Sequence, residues 1–253
     1  LKIAKGFDYK KIETPVVEKT ALFSRGVGEA TDVVQKEMFS FVDKSGESVS
    51  LRPEPTAGIC RAYIEHGMKM MPQPVKLFWY GPVFRHERPQ AGRYREFRQF
   101  DMEVIGDQNP ILDAEIIFIT WKMLTDIGFV GSEVQINSIG CPECRPAYKE
   151  ALTDYYGSKQ QKLCQDCRKR LKKNPLRLLD CKQERCKGLA NEAPQIVDFL
   201  CEECHAHFKN VLEYLDELEI PYNLNPTLVR GLDYYTKTVF EIWPPEEEGF
   251  KTA

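Results

Sequence analysis

No apolar run in this chain of 253 residues approaches the roughly 20 residues that cross a bilayer, which argues against a membrane-spanning segment. No signal peptide opens it, no internal repeat is evident, and no segment is of low complexity. An excess of one charge is lacking too: 35 Lys and Arg stand against 38 Asp and Glu, and the net charge of -3 excludes no class of partner. What is present is enough apolar material, 42% of residues, to bury a core in one large domain or two smaller ones. Nine cysteines without an export signal point to thiols or metal ligands rather than disulfides. A soluble, cytoplasmic protein is the expectation. Both ends look unfinished: residues 1–6 read as the last turn of a helix closing on Gly6, and residues 246–253 stop within a loop, as in a piece of a longer chain.

Along the chain, residues 12–18 read as a strand whose Pro15 cannot donate to a ladder, which suits an edge or an interface. Residues 36–42 and 48–52 flank the turn sequence Asp43-Lys-Ser-Gly46 and predict a hairpin. A helix is expected over residues 56–71, with Ile59, Tyr63 and Gly67 on one side. Two antiparallel strands follow, residues 75–84 and 97–105, joined by a long polar loop. Residues 110–127 predict an amphipathic helix with Ile111, Ile116, Ile119, Met123 and Ile127 inward, and residues 134–139 a further strand. This order points to an α+β domain around a mostly antiparallel sheet. From Cys141 the character changes. Residues 141–216 read as helical and hold eight of the nine cysteines; residues 141–210 carry 14 Lys and Arg against 10 Asp and Glu, a local +4. Strand patterns return at 222–225, 228–235 and 238–243. The simplest division is a core over 1–140, an inserted helical, cysteine-rich module over 141–216, and the core continued over 217–253.

Three constellations carry chemistry. The stretch from Phe84 to Gln99 sets five arginines among aromatics and acids, with Ala91-Gly92 near its centre. Arginines rooted on strands suit phosphate clamping, because guanidinium is always charged and binds oxyanions bidentately; a salt-bridged surface hairpin is the plainer reading. Leu228 to Glu241 places Arg230, Asp233, Tyr234 and Tyr235 on a strand-turn-strand, where several could face one cleft. Arg52-Pro-Glu-Pro-Thr56 is a strand-to-helix junction stiffened by two prolines, which puts Glu54 and Thr56 near a helix N-terminus. Read plainly, Thr56 is an N-cap and Glu54 a first-turn acid.

The cysteines fall into four couples: Cys141 with Cys144, Cys164 with Cys167, Cys181 with Cys186, and Cys201 with Cys204. Tetrahedral Zn2+ favours short chelate loops of this kind, two per ion. Two four-thiolate sites, or one site with spare thiols, both fit, and His205 or His207 could replace a thiolate; buried small hydrophobes are the plainer alternative. Cys60 is expected to pack in a helical core. The basic run Arg168-Lys-Arg-Leu-Lys-Lys173, with Arg177, is either a solvated helix face or a set of phosphate contacts.

Taken together, the three constellations resemble histidyl-tRNA synthetases, which are class II aminoacyl-tRNA synthetases. The arginine hairpin is similar to the family's motif 2, Arg230-Gly-Leu-Asp-Tyr-Tyr235 to its histidine-specific signature, and Arg52 to Thr56 to its substrate loop. Residues 12–18 are similar to motif 1, whose proline lies at the family's dimer interface; Asn174 to Lys182 in the inserted module also matches. The resemblance implies a class II antiparallel sheet flanked by helices and a homodimer. It also implies two-step chemistry: L-histidine with ATP and Mg2+ gives histidyl-adenylate, and the 3' end of tRNA-His takes the histidyl group. It assigns Arg85 and Arg230 to opposite faces of the α-phosphate, as catalytic residues, and Arg93 to ATP or the tRNA acceptor end. Histidine would be held by Glu54, Pro55, Thr56, Gln99, Glu103, Tyr234 and Tyr235, in a pocket of polar pairs that rejects analogues because they leave buried groups unpaired. The inserted module would clasp the acceptor stem. Motif 3 and the anticodon-binding domain are missing from the residues given, so this stretch alone is expected not to turn over. Two relatives offer other readings: the non-catalytic regulatory subunit of ATP phosphoribosyltransferase, which senses histidine, and a sensor domain for uncharged tRNA. The intact signature and the large basic insertion count against the first, and the presence of both Arg85 and Arg230 against the second.

Overall fold

The structure, a computed structural model, describes residues 2–27, 31, 33–88, 90, 92–229 and 235–245. The chain divides between Gln108 and Asn109 into two compact units. Among the described residues no helix is long and apolar enough to cross a membrane.

In the first unit, helix α1 (Lys2–Gly6) leads to two short strands, β1 (Lys10–Lys11) and β2 (Val17–Lys19), and then α2 (Thr20–Val27). Of the single strand expected over residues 12–18 only the end is strand, in β2; β1 precedes it, and residues 12–16 form a break between the two. Pro15 lies in the break, and the two strands serve different sheets: β1 runs parallel to β5 (Val75–Phe84), whereas β2 pairs with β4 (Ser48–Leu51). Strands β3 (Ser40–Val42) and β4 (Ser48–Leu51) form the expected hairpin, starting later than residue 36 because a π-helical turn occupies Val33–Glu37. Its turn is locked by Asp43, whose Oδ1 accepts from the backbone N–H groups of Ser45 and Glu47 at 2.8 and 2.9 Å. Gly46 there has φ +84°, which only glycine adopts cheaply. Helix α3 (Thr56–Glu65) ends well before residue 71, because Gly67 at φ +62° closes it and Met68–Met70 continue only as a 3-10 turn.

The long hairpin of β5 (Val75–Phe84) and β6 (Glu96–Ile105) dominates this unit, with ten residue pairs from Val75 opposite Ile105 to Phe84 opposite Glu96. Val75, Leu77, Trp79 and Val83 project from one face of β5 onto Ile59 of α3, joined by Phe97 and Ile105 of β6. Opposed residues of an antiparallel pair point to the same face. The odd-numbered residues of β6 therefore share this apolar face.

The second unit opens with α4 (Pro110–Asp126), whose start is set by Asn109 accepting from Ile111 N–H at 3.1 Å and by Pro110 at the first helical position. Its extent agrees with the sequence reading and its face agrees in part: Ile119 is fully buried as expected, Ile116 and Met123 are half-buried, and the two ends of the expected stripe are not inward. Ala114 and Ile117 pack with Phe118 and Trp121 against the core, while Ile111 and Ile127 are 49% and 66% exposed. The helix is apolar nearly all round, so two stripes were open to it, and packing with α8 (Glu202–Glu217) selected this one. Strand β7 (Glu133–Ser138) follows, then α5 (Arg145–Gly157), α6 (Gln165–Lys173), α7 (Glu184–Asn191) and α8 (Glu202–Glu217), with 3-10 turns between them. Strand β8 (Tyr222–Leu224) pairs parallel and β9 (Thr238–Trp243) antiparallel with β7. Val134 and Ile136 of β7 meet Phe208, Val211 and Leu215 of α8 in one core; the helical module has its own, built on Tyr148, Leu152, Tyr156 and Leu171. Sheet pairing is thus mixed, in three three-stranded sheets among the described residues, within the expected α+β class.

Candidate active site

The register of the long hairpin sets Gln99 opposite Gly81, Asp101 opposite Trp79 and Glu103 opposite Leu77. Three polar side chains are therefore sunk into the apolar face that α3 covers. Thr56, the first residue of α3, donates its hydroxyl to Glu103 Oε1 at 2.7 Å. The N-cap position is Pro55, which makes no side-chain cap, and it is Glu54 that accepts the Ala57 N–H at 3.0 Å. The plain reading of Thr56 as a cap therefore fails: its hydroxyl is committed across the site.

Arg52 is 5% exposed and holds the junction in place. Its Nε donates to Pro82 O at 2.9 Å and its Nη1 to Thr14 O at 2.6 Å, and the guanidinium lies 4.5 Å over the Trp79 ring. Gly81 makes room for that stack. A Cβ at residue 81 would meet Trp79 Cζ2 at 2.8 Å and Arg52 Nη2 at 3.2 Å. Arg85 donates from Nε to Pro53 O at 2.9 Å and lies over the Phe97 ring at 5.3 Å. Its charge acts on both Glu54 and Asp101, lowering their pKa values.

Burial opposes that effect and wins. It raises the Glu54 carboxyl, lifts Asp101 to about 6 with help from the Glu54 charge, and lifts Glu103 to about 7, where Asp101 and Glu54 add repulsion. Gln99 Oε1 and Asp101 Oδ2 are buried and have no hydrogen-bond partner among the described residues. Buried acceptors without donors cost free energy, on the order of 1–3 kcal/mol each, and mark a place where a donor-rich guest is wanted. Asp101 was not singled out in the sequence, although it has the same strand parity as Gln99 and Glu103; that alternation was the available signal. A cavity of about 760 Å3 opens beside the junction between α2 and α3, with Glu54, Thr56 and Cys60 in its wall. Cys60 is exposed, not packed in a core, because Gly58, Ile59 and Ala62 take the inward positions of α3.

Other anticipated residues lie elsewhere. Arg93 sits in the hairpin loop and pairs with Glu87 at 3.3 Å. Tyr235 belongs to the second unit, where its carbonyl accepts from Arg145 and its ring packs on Ile139, Leu228 and Val239. Arg230 and Tyr234 lie outside the described residues, as does most of the strand expected over 228–235. In the helical module the eight cysteines form two quartets, Cys141, Cys144, Cys201, Cys204 and Cys164, Cys167, Cys181, Cys186. Neither candidate histidine joins them: His207 is hydrogen-bonded to Asp113 at 2.8 Å, and His205 is exposed. Lys169, Lys172 and Lys173 project into solvent from α6, while Arg168 donates to the carbonyls of Gln160 and Gln161 at 3.1 and 3.0 Å.

With this geometry in hand, solved structures define the class. An apo histidyl-tRNA synthetase from S. aureus superposes with a TM-score of 0.73 at 40% identity, covering 95% of this chain and 54% of its own. An ATP phosphoribosyltransferase regulatory subunit/histidyl-tRNA synthetase from Bacillus halodurans C gives a TM-score of 0.64 over 98% of this chain and 67% of its own, but at 23% identity it shows the fold alone. The profile of the histidyl-tRNA synthetase family matches residues 1–249, and the chain belongs to that family. A histidine–tRNA ligase of Desulfitobacterium hafniense is 51% identical over 241 residues, 95% of this chain and 57% of that protein. One of Halothermothrix orenii is 54% identical over 236 residues, 93% and 56%. The chain therefore spans a little over half the length of these relatives.

Proposed function

We propose that the protein is a histidine–tRNA ligase, which activates L-histidine with ATP and Mg2+ and passes the histidyl group to the 3' end of tRNA-His. One observation carries this reading. Glu54, Asp101, Glu103, Gln99 and Thr56 converge as a buried set dominated by acceptors, two of them without a donor. An α-ammonium supplies three donors and a positive charge; a neutral imidazole adds one donor and one acceptor. Glu54, Asp101 and Thr56 would take the ammonium. Glu103, with Tyr234, would satisfy the ring, and Gln99 the remaining donor.

In the first step a carboxylate oxygen of histidine attacks the α-phosphorus of ATP, a new P–O bond forms, and pyrophosphate leaves. Arg85, anchored through Nε on Pro53 O, offers its remaining N–H groups to the charge that grows on the phosphate. Arg230 would meet the same phosphate from the other side, and Arg93 the nucleotide or the acceptor end. In the second step a terminal ribose hydroxyl attacks the adenylate carbonyl and AMP departs. The exposed lysines of α6 are the proposed acceptor-stem contacts. Val17 and Phe41, 43% and 48% exposed and on one face of the β2–β4–β3 sheet by register, fit a homodimer interface. The cytoplasm is the proposed compartment.

Histidine-dependent ATP–pyrophosphate exchange by the full gene product tests the proposal. Exchange should require histidine and fall about 10²–10³-fold in Arg85→Ala. Tight histidine binding without exchange would favour the regulatory-subunit reading, and near-normal exchange in the variant would remove Arg85 from its role.

A further inference from the structure

We infer that the inserted helical module binds two Zn2+ ions, one in each cysteine quartet, nested so that the outer ion closes the base of the module and the inner one lies in its core. Within each quartet all four sulfur atoms lie within 4.8 Å of one another. Cys141 Sγ is 3.5 Å from Cys144 Sγ and 3.9 Å from Cys201 Sγ, and Cys164 Sγ is 3.9 Å from Cys181 Sγ. Four sulfurs at about 2.3 Å from a tetrahedral zinc stand about 3.8 Å apart. A disulfide needs about 2.05 Å, so the couples are not bridged. An iron–sulfur cluster interposes iron and inorganic sulfide between its cysteines and spreads them wider than a single ion does.

The backbone supports the same chemistry. Cys201 N–H points at Cys144 Sγ at 3.1 Å, Cys167 N–H at Cys164 Sγ at 3.3 Å, and Cys164 N–H at Cys186 Sγ at 3.4 Å. N–H donors aimed at sulfur stabilise thiolate over thiol and are the outer-shell support of metal-bound cysteine. Cysteines used as small hydrophobes have no reason to assemble four by four, each quartet with such donors. The backbone also turns tightly beneath the outer quartet: Gly140 has φ +62°, and a Cβ there would lie 2.7 Å from Cys144 Cβ.

The placement gives the ions a purpose. Cys141 and Cys144 lie between β7 and α5, and Cys201 and Cys204 at the start of α8, so the outer quartet joins the chain entering the module to the chain leaving it. The inner quartet packs with Leu163, Leu171, Leu178 and Leu189. Helices α5, α6 and α7 have 13, 9 and 8 residues, at or below the length at which isolated helices hold in water; a metal staple compensates for so small a core.

The test is metal analysis of the full gene product purified without chelator, with thiol titration before and after denaturing metal release. Two zinc ions per chain are expected, with the eight quartet thiols protected until release. The double variants Cys141→Ser/Cys201→Ser and Cys164→Ser/Cys181→Ser should each retain one. Cobalt added to metal-stripped wild-type protein should give the thiolate charge-transfer bands of a tetrahedral site at two equivalents, a readout independent of how the variants fold. Less than one zinc per chain with all thiols reactive in the native protein overturns the inference, as does bound iron or unchanged stoichiometry in both variants. Activity enters none of these measurements, so failure here leaves the proposed aminoacylation standing.

Discussion

Replacing Glu103 by glutamine isolates the cost of keeping a carboxyl in the proposed histidine pocket. Burial and the neighbouring acids raise its pKa from 4.5 to about 7, so the folded chain holds this proton more tightly than the unfolded one. That contribution to stability is fully present below about pH 4.5 and is lost as the pH rises through about 7. A gap of roughly 2.5 units at 1.36 kcal/mol each is worth about 3 kcal/mol by about pH 8, and partial solvent access trims it to about 2. Glutamine keeps the shape of the protonated acid and an oxygen for Thr56, so the variant should match the parent near pH 4. Near pH 8 it should be more stable by about 2 kcal/mol. Urea unfolding of both proteins across this range measures the difference directly. A difference that is flat with pH, or that shrinks as pH rises, would refute the argument that burial controls this carboxyl. Histidine affinity should move the opposite way, since the charge that weakens the fold is the one proposed to serve the ligand.

Asp101→Asn should weaken histidine binding by about 10- to 100-fold, the worth of a hydrogen bond to a charged group, as read by calorimetric titration; unchanged affinity would exclude Asp101 from the pocket. Gly81→Ala forces a methyl against Trp79 and Arg52 and should cost about 1–3 kcal/mol in unfolding free energy. Neutralising Lys169, Lys172 and Lys173 together should weaken tRNA binding and reduce its log–log salt slope by about 2–3, if each meets one phosphate; an unaltered slope would mark them as an ordinary solvated face.

Sequence patterning resolved what is local and missed what is set by contact. The bounds of β5 were legible to the residue because a mostly apolar run, interrupted by Lys76, ends at Arg85, and β6 begins one residue before the expected Phe97. Asn109 and Pro110 announced the start of α4, yet nothing local distinguished its buried stripe from the one through Ile111 and Ile127. The length of α3 was overread because Met68 to Met71 continue the apolar pattern past Gly67, whose left-handed backbone ends the helix. In the site, Arg85, Glu54, Thr56, Gln99 and Glu103 were named through family resemblance, and they fall in one unit; Arg230 and Tyr234 lie outside the described residues. Asp101 escaped because resemblance, and not strand alternation, guided the choice. Cysteine spacing gave the four couples, but which couple meets which depends on how the module folds back at α8, information that no spacing contains.

That return of the chain has a consequence for evolution and engineering. Cys144 and Cys201 are 57 positions apart in sequence and joined by one N–H···S contact. Everything between them is a side excursion whose length enters the closure entropy only logarithmically. The excursion can therefore lengthen, shorten or be exchanged for another while β7 and α8 keep their places, which makes it the part of this unit freest to change.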